Sequence, residues 1–218
     1  MLKINKNSTL SNWNKIYKTN KQFSIWPWSD LVSLSTKFCN LKKNIEVLEI
    51  GCGVGANINF FLSKNCNYTG IDISSYAINY LKKFYKNTNV NLFDCNYINY
   101  DTKKKYDLII DRGAITCGNN TLDIKKILSK INFDLKKNGK FIGIDWYSKN
   151  TSFFQRTNKN KNFISYYGLG KIYFSNLVEI KYFLNKFKIL YLQEKHTLNI
   201  LDKKKSISFW SFVCKKFS

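Results

Sequence analysis

Val47-Leu48-Glu49-Ile50-Gly51-Cys52-Gly53-Val54-Gly55-Ala56-Asn57 is the stretch that decides the fold. A buried strand runs straight into glycines and then into a helix. Glycine lets the backbone turn tightly and approach a ligand closely, and the helix start behind it offers free N–H groups. Asp72 follows seventeen residues after Gly55, at the end of the next strand, where an acid is placed to take both hydroxyls of a ribose. The GxGxxA spacing alone also fits a dinucleotide site. Two features separate the readings. Glu49 stands two residues before the first glycine, where dehydrogenases usually have an apolar residue. The strand also follows some 44 residues of chain and precedes a terminal hairpin, whereas a dinucleotide fold commonly opens on its first strand.

Outward from that stretch, strand and helix patterns alternate. Strands are expected at Ile45–Ile50, Tyr68–Ile73, Val90–Phe93, Tyr106–Asp111 and Lys140–Asp145. Helices are expected at Ala56–Lys64, Ser75–Tyr85 (Ala77, Ile78, Leu81 and Phe84 inward) and Thr121–Leu135, the last stopped by Lys136-Lys137-Asn138-Gly139. Residues 147–170 read as a long polar and aromatic loop, and Asn176–Phe187 as a helix. Ile189–Thr197 and Ser206–Lys215 read as a hairpin. Upstream, Trp13 and Tyr17 share one face of a short helix. Trp26-Pro27-Trp28 breaks it, and Ser29-Asp30 caps a helix over 31–40 with Leu31, Leu34 and Phe38 on one side. The pattern implies an α/β chain: a parallel sheet with helices on both faces, closed by an antiparallel C-terminal hairpin.

Composition narrows the class. In 218 residues, 44% are apolar, enough for a core, so wholesale disorder is excluded. No stretch approaches the roughly 18 apolar residues of a transmembrane helix, and the start lacks the apolar region of a secretory signal. The six cysteines fall at irregular spacings without CxxC. Neither a disulfide framework nor a metal site is expected, and reduced thiols point to the cytoplasm. Lys+Arg less Asp+Glu is 36 − 14 = +22, which taken alone suggests nucleic acid. Yet Arg112 and Arg156 are the only arginines, and arginine is the residue that grips phosphates bidentately. Lys, Asn and Ile share AT-rich codons, so the charge reads first as genome bias and second as an anionic partner.

The opening stretch closely resembles the first motif of class I S-adenosylmethionine-dependent methyltransferases. Gly70-Ile71-Asp72-Ile73-Ser74 resembles their second motif. Tyr106–Asp111 resembles the fourth-strand motif, and Leu135–Phe141 the turn before strand five. Trp13, Tyr17 and Phe23 resemble the spaced aromatics ahead of the core in thiopurine-type and tellurite-resistance-type small-molecule enzymes. The resemblance implies a Rossmann-like seven-stranded sheet in one domain over 1–218. Residues 1–44 would be lid and helix, 45–146 the cofactor-binding core, and 147–218 the substrate loop and hairpin.

By position, it implies S-adenosylmethionine as cofactor and S-adenosylhomocysteine as product. Gly51 and Gly53 would pass the methionine part, and Glu49 would order that loop and face the amino group. Asp72 would bind the ribose, Ile73 would pack on the adenine, and Asp94 and Cys95 would sit at its edge; Cys52, Asn57 and Ser74 are also expected to bind the cofactor. Trp13 and Tyr17 would cover the cofactor. Asp111 would face the sulfonium and the substrate. Arg112 departs from the family pattern and is expected either to bind a carboxylate or phosphate of the substrate or cofactor, or to form a surface ion pair.

The expected substrate surface is residues 1–30, 113–120 and 146–170, with Trp26, Trp28, Tyr147, Tyr166 and Tyr167 on it and Asp145 beside it. Asp111, Asp145 and His196, the only histidine, are the candidate bases for a hydroxyl acceptor; Asp111 and His196 are the expected catalytic pair. Asp111-Arg112-Gly113-Ala114 replaces the D/N-P-P-Y/F of adenine-N6 enzymes, and Pro27 precedes Trp28 rather than a cysteine nucleophile. Cys117 reads as a small packing residue. The expected reaction is O- or N-methylation of a small molecule, with a sugar or nucleotide-linked precursor as one acceptor class. An RNA methyltransferase and a nonenzymatic cofactor-binding protein are the alternatives.

Overall fold

A strand that is apolar on both sides needs cover on both faces, and the sequence supplies amphipathic helices between its strands. The computed structural model shows that arrangement. It describes residues 6–19, 23–86, 88–157, 161–166 and 168–217.

The main sheet contains β1 (Glu46–Ile50), β2 (Asn67–Asp72), β3 (Val90–Asp94), β4 (Tyr106–Arg112) and β5 (Leu135–Tyr147), with β8 (Phe187–Thr197) and β9 (Ile207–Lys216). Its order is β3-β2-β1-β4-β5-β9-β8. The pairs among β1–β5 are parallel; β9 runs antiparallel to both β5 and β8. The seven-stranded Rossmann-like sheet and its C-terminal hairpin are therefore as expected. The chain reverses sheet direction between β3 and β4, so the carboxyl ends of β1 and β4 form the crevice where such sheets bind ligands.

Alternate strand residues feed two cores. Val47, Leu108, Ile110 and Ile142 pack on one face under α2 (Ser29–Phe38), α3 (Ile58–Ser63) and α4 (Ser75–Lys82). Leu48, Ile109 and Phe141 pack on the other under α5 (Thr121–Asp134) and α7 (Leu177–Phe183). Gly143 brings β9 across this sheet: a Cβ there would lie 2.2 Å from the Phe212 ring. The first helix, α1 (Lys6–Lys18), sets Tyr17 against Val54 and Ala77, beside the glycine loop and α4.

Three local expectations are corrected. Trp28, not Ser29 or Asp30, takes the N-cap position of α2, and its side chain makes no capping bond. Phe84 is 62% exposed rather than inward, because α4 ends at Lys82; its ring leans on Tyr80. Residues 147–170 are not a bare loop. They contain α6 (Ser152–Arg156) and β6 (Phe163–Ser165), and β6 pairs with β7 (Lys171–Tyr173). Phe154, Tyr166, Ile172 and Phe174 bury together as a satellite core. Its period matches neither a helix nor a strand, which hid it from pattern reading. Tyr167 lies outside the described residues.

Candidate active site

A cavity of about 560 Å³ opens at the carboxyl ends of the strands. The glycine loop forms its floor. Gly51, Gly53 and Gly55 have φ of 70°, 53° and 82°, a left-handed backbone that side chains resist. A Cβ on Gly51 would lie 2.2 Å from Ala114 Cβ, and one on Gly53 would lie 2.6 Å from the Tyr17 hydroxyl. The loop therefore depends on glycine both for its turn and for close approach to its neighbours.

Two buried acids shape this end. Asp72 accepts from Gly53 N–H at 2.9 Å and Ser74 N–H at 2.7 Å. These bonds tie the glycine loop to the end of β2. Burial raises its carboxyl to about 6 against the lowering pull of both bonds. Glu49 accepts from Asn57 Nδ2 at 2.8 Å and from the Tyr68 hydroxyl. Burial again dominates and raises it to about 7. Asn57 Oδ1 in turn accepts from Trp28 N–H at 3.1 Å. Asn57 thus links the acid on β1 to the start of α2 instead of capping α3.

Along this wall Ile73, Asp94, Cys95 and Asn96 extend the cavity toward the end of β3. Trp13 and Tyr17 close it from α1, with their rings 5.7 Å apart. The opposite wall comes from β4, β5 and the segments after them: Arg112, Gly113, Cys117, Asp145, Tyr147 and Leu169. Arg112 Nε lies 2.7 Å from Asp145 Oδ2, and its guanidinium carbon sits 3.4 Å from the centre of the Trp28 ring. Asp145 has φ 57°, and a Cβ on Gly113 would lie 2.8 Å from its carbonyl oxygen. Only glycine lets the turn after β4 come that close to β5. Burial raises the Asp145 carboxyl, opposed by Arg112.

The structure gathers most of the expected site residues on this cavity, from Glu49 and Gly53 to Asp72, Asp94, Arg112 and Tyr147. It does not bring in five of them. Asp111 is 1% exposed and lies behind the wall; its oxygens accept from Ile115 N–H at 3.1 Å and Trp146 Nε1–H at 2.6 Å. Those two bonds assign it to holding the turn after β4, although burial raises its carboxyl to about 7. His196 is exposed on the hairpin, with Nδ1 bonded to the Ser208 hydroxyl. Trp26 is 76% exposed and turns away. Tyr166 belongs to the satellite core, where its ring lies 5.1 Å from that of Tyr147. Ser74 caps α4 through Ala77 N–H and donates to Asn14 Oδ1.

Ser24 and Asn119 fall in the segments expected to face the substrate, whereas sequence reading missed Asn96, Tyr97 and Phe209, all on the cavity. They come from loops and from the hairpin, where no motif signals proximity. Cys117 also lines the cavity; burial pushes its thiol up to about 12, so it remains protonated, and it leans on Gly113 O at 3.3 Å.

Residues 48–141 match the methyltransferase domain family. Over that segment the chain is similar to methyltransferase domains. Solved structures share its fold at low identity. The 1,6-didemethyltoxoflavin N1-methyltransferase of Burkholderia thailandensis, with bound 1,6-didemethyltoxoflavin and S-adenosylhomocysteine, has a TM-score of 0.71 at 13% identity; the match covers 99% of this chain and 88% of that one. TehB from Haemophilus influenzae gives 0.67 at 15%, covering 94% and 67%. A methyltransferase from Methanosarcina mazei gives 0.67 at 17%, covering 81% and 94%. No curated protein matches in sequence.

The cofactor to test against this site is S-adenosylmethionine, whose product S-adenosylhomocysteine is bound in the Burkholderia thailandensis structure. This chain's residues fit it. The glycine loop leaves backbone room, buried acids suit an amino group and a ribose, and the aromatic cover excludes water. When bound, the cofactor supplies an electrophilic methyl group on a sulfonium. Among the described residues, no helix is long and apolar enough to cross a membrane.

Proposed function

We propose that this methyltransferase acts as one domain, in the cytoplasm, on a small-molecule acceptor. The observation that supports this reading is a cavity of about 560 Å³ running from Asp72 and Asp94 to Arg112 and Tyr147 under Trp13, Tyr17 and Trp28. Pockets of roughly 300–1,000 Å³ suit small ligands. The cofactor half is the β1–β3 end, where Glu49 meets the amino group, Asp72 the ribose and Ile73 the adenine. The β4–β5 end then belongs to the acceptor.

Transfer is an in-line displacement, so the protein contributes alignment and a dry pocket. The acceptor atom is a nitrogen or an oxygen, and a sugar or nucleotide-linked precursor is one class that fits. Of the three bases suggested by sequence, Asp145 alone lines the cavity. Its raised carboxyl, next to Arg112, makes it the group that takes a proton from a hydroxyl or ammonium acceptor. N-methylation is the activity named for the Burkholderia thailandensis protein and for NodS of Bradyrhizobium japonicum, which supports nitrogen without deciding it.

The test has two arms. S-adenosylmethionine and S-adenosylhomocysteine are expected to raise the melting temperature, as native-state ligands do, and NAD is not. Methyl-labelled cofactor is expected to label a small-metabolite extract rather than total RNA. A melting shift with NAD alone, or label passing only to RNA, refutes the proposal.

A further inference from the structure

We infer that Arg112 anchors an oxyanion, a carboxylate or phosphate, carried by the methyl acceptor. The inference rests on the small-molecule reading above and specifies its acceptor class. Arg112 is fixed on two sides. Its Nε is held 2.7 Å from Asp145 Oδ2, and its flat face lies on Trp28, 3.4 Å from carbon to ring centre. Among the described residues, no hydrogen-bond partner is present for its two terminal Nη groups. The side chain is 31% exposed and lines the cavity on the acceptor side. A planar guanidinium with one edge paired, its face stacked and the other edge free is preorganised for bidentate docking of a carboxylate or phosphate. Little rotamer freedom then remains to be lost on binding.

The charges around Arg112 are mostly paired. Asp145 balances Arg112, and farther out Lys195 pairs with Asp30 at 3.2 Å. Glu49 faces Arg112 across the cavity. This local cluster is close to neutral, so an added anion is not drawn in by the cluster alone. The long-range pull comes from the whole chain, whose net charge is +22. Positive charge spread over a surface concentrates small anions at a cleft without needing a duplex-shaped groove. Asp145, the proposed base, also pairs with the Arg112 Nε at 2.7 Å.

The experiment uses the full chain saturated with S-adenosylhomocysteine, titrated separately with benzoate and inorganic phosphate. Calorimetry reports binding. At least one anion is expected to bind, and the stronger one identifies the source as carboxylate or phosphate. Arg112→Met is expected to weaken that anion at least tenfold and leave the affinity for S-adenosylhomocysteine within threefold. Arg112→Lys, which keeps the charge and loses the fork, is expected to fall between; it carries the test if the methionine variant does not fold.

Binding of neither anion overturns the inference, and so does anion binding that Arg112→Met leaves unchanged. A parallel tenfold loss of S-adenosylhomocysteine also overturns it, because Arg112 would then hold the cofactor's own carboxylate. Failure of the small-molecule reading looks different: the cofactor binds and label passes only to RNA. Transfer to neutral small molecules, equal in wild type and Arg112→Met, removes the anchor and leaves that reading standing.

Discussion

The two ends of the cavity are built by opposite rules. The β1–β3 end is made of short sequence blocks: Glu49 to Asn57, then Asp72 to Ser74, then Asp94 and Cys95. Each sits where a strand stops, and backbone N–H groups and carboxylates fix the geometry. The β4–β5 end is assembled from distant pieces. Arg112, Asp145, Trp28 and Leu169 meet there, held by an ion pair, a ring stack and an aromatic core. A cofactor of fixed chemistry suits the first kind of construction. A variable acceptor suits the second, because side chains can change there without moving the strand ends.

Four experiments break or sharpen that contrast. Asp111→Ala is expected to have the largest effect, and on stability rather than on ligand. It strands the buried Trp146 Nε1–H and Ile115 N–H. Each unsatisfied buried donor costs about 1–3 kcal/mol, so urea melts should show a loss of roughly 2–5 kcal/mol. The folded protein should bind S-adenosylhomocysteine within threefold of wild type. A tenfold affinity loss at unchanged stability would return Asp111 to the binding site.

Next, Asp72→Ala is expected to weaken S-adenosylhomocysteine tenfold or more by calorimetry. Charge-assisted hydrogen bonds are worth about 1.5–3 kcal/mol, and the tether on Gly53 N–H is lost as well. An unchanged dissociation constant would sever this acid from the cofactor.

A third effect is a pH slope. Glu49 is raised by burial from 4.5 to about 7. The folded state therefore holds a proton that the unfolded chain has released. Its contribution is fully favourable below about pH 4.5 and is lost as pH rises to about 7. Cofactor-free protein should lose stability from Glu49 across that window, by at most about 1.4 kcal/mol per pH unit. Glu49→Gln should flatten the change in melting temperature between pH 5 and pH 7, measured by calorimetric scans. An identical slope in the variant would mean that Glu49 ionises normally.

The smallest effect is expected at His196→Ala. The residue is exposed and bonded to Ser208 on its own hairpin, so kcat/KM should change less than twofold. A hundredfold loss in steady-state assays would restore it as a base.

The cofactor end was readable from sequence because strand, turn and acid recur at short spacing, and each part has a local cause. Gly51 and Gly53 announce positive φ, and Asp72 announces a strand end. The acceptor end was readable only in outline. Arg112 and Trp28 were visible as unusual residues, but nothing in 84 positions of separation, 112 − 28, indicates a stack. Asp111 shows the limit from the other side. Its motif position suggested chemistry, while its neighbours Trp146 and Ile115 occupy both its oxygens; a strand-end acid and a buried tether have the same sequence signature. The satellite core of Phe154, Tyr166, Ile172 and Phe174 was missed because its aromatics come from three short elements with no shared period.

The short chain of hydrogen bonds from Glu49 through Asn57 to the Trp28 N–H crosses from one end of the cavity to the other. Trp28 is also the surface on which Arg112 rests. In the proposed assignment, cofactor and acceptor thus share one mechanical element. Whatever free energy the cofactor exchanges with the acceptor through that element, the acceptor must return to the cofactor in equal measure. Any order in which the two are taken up is then a matter of rates, since the thermodynamic coupling is the same from either side.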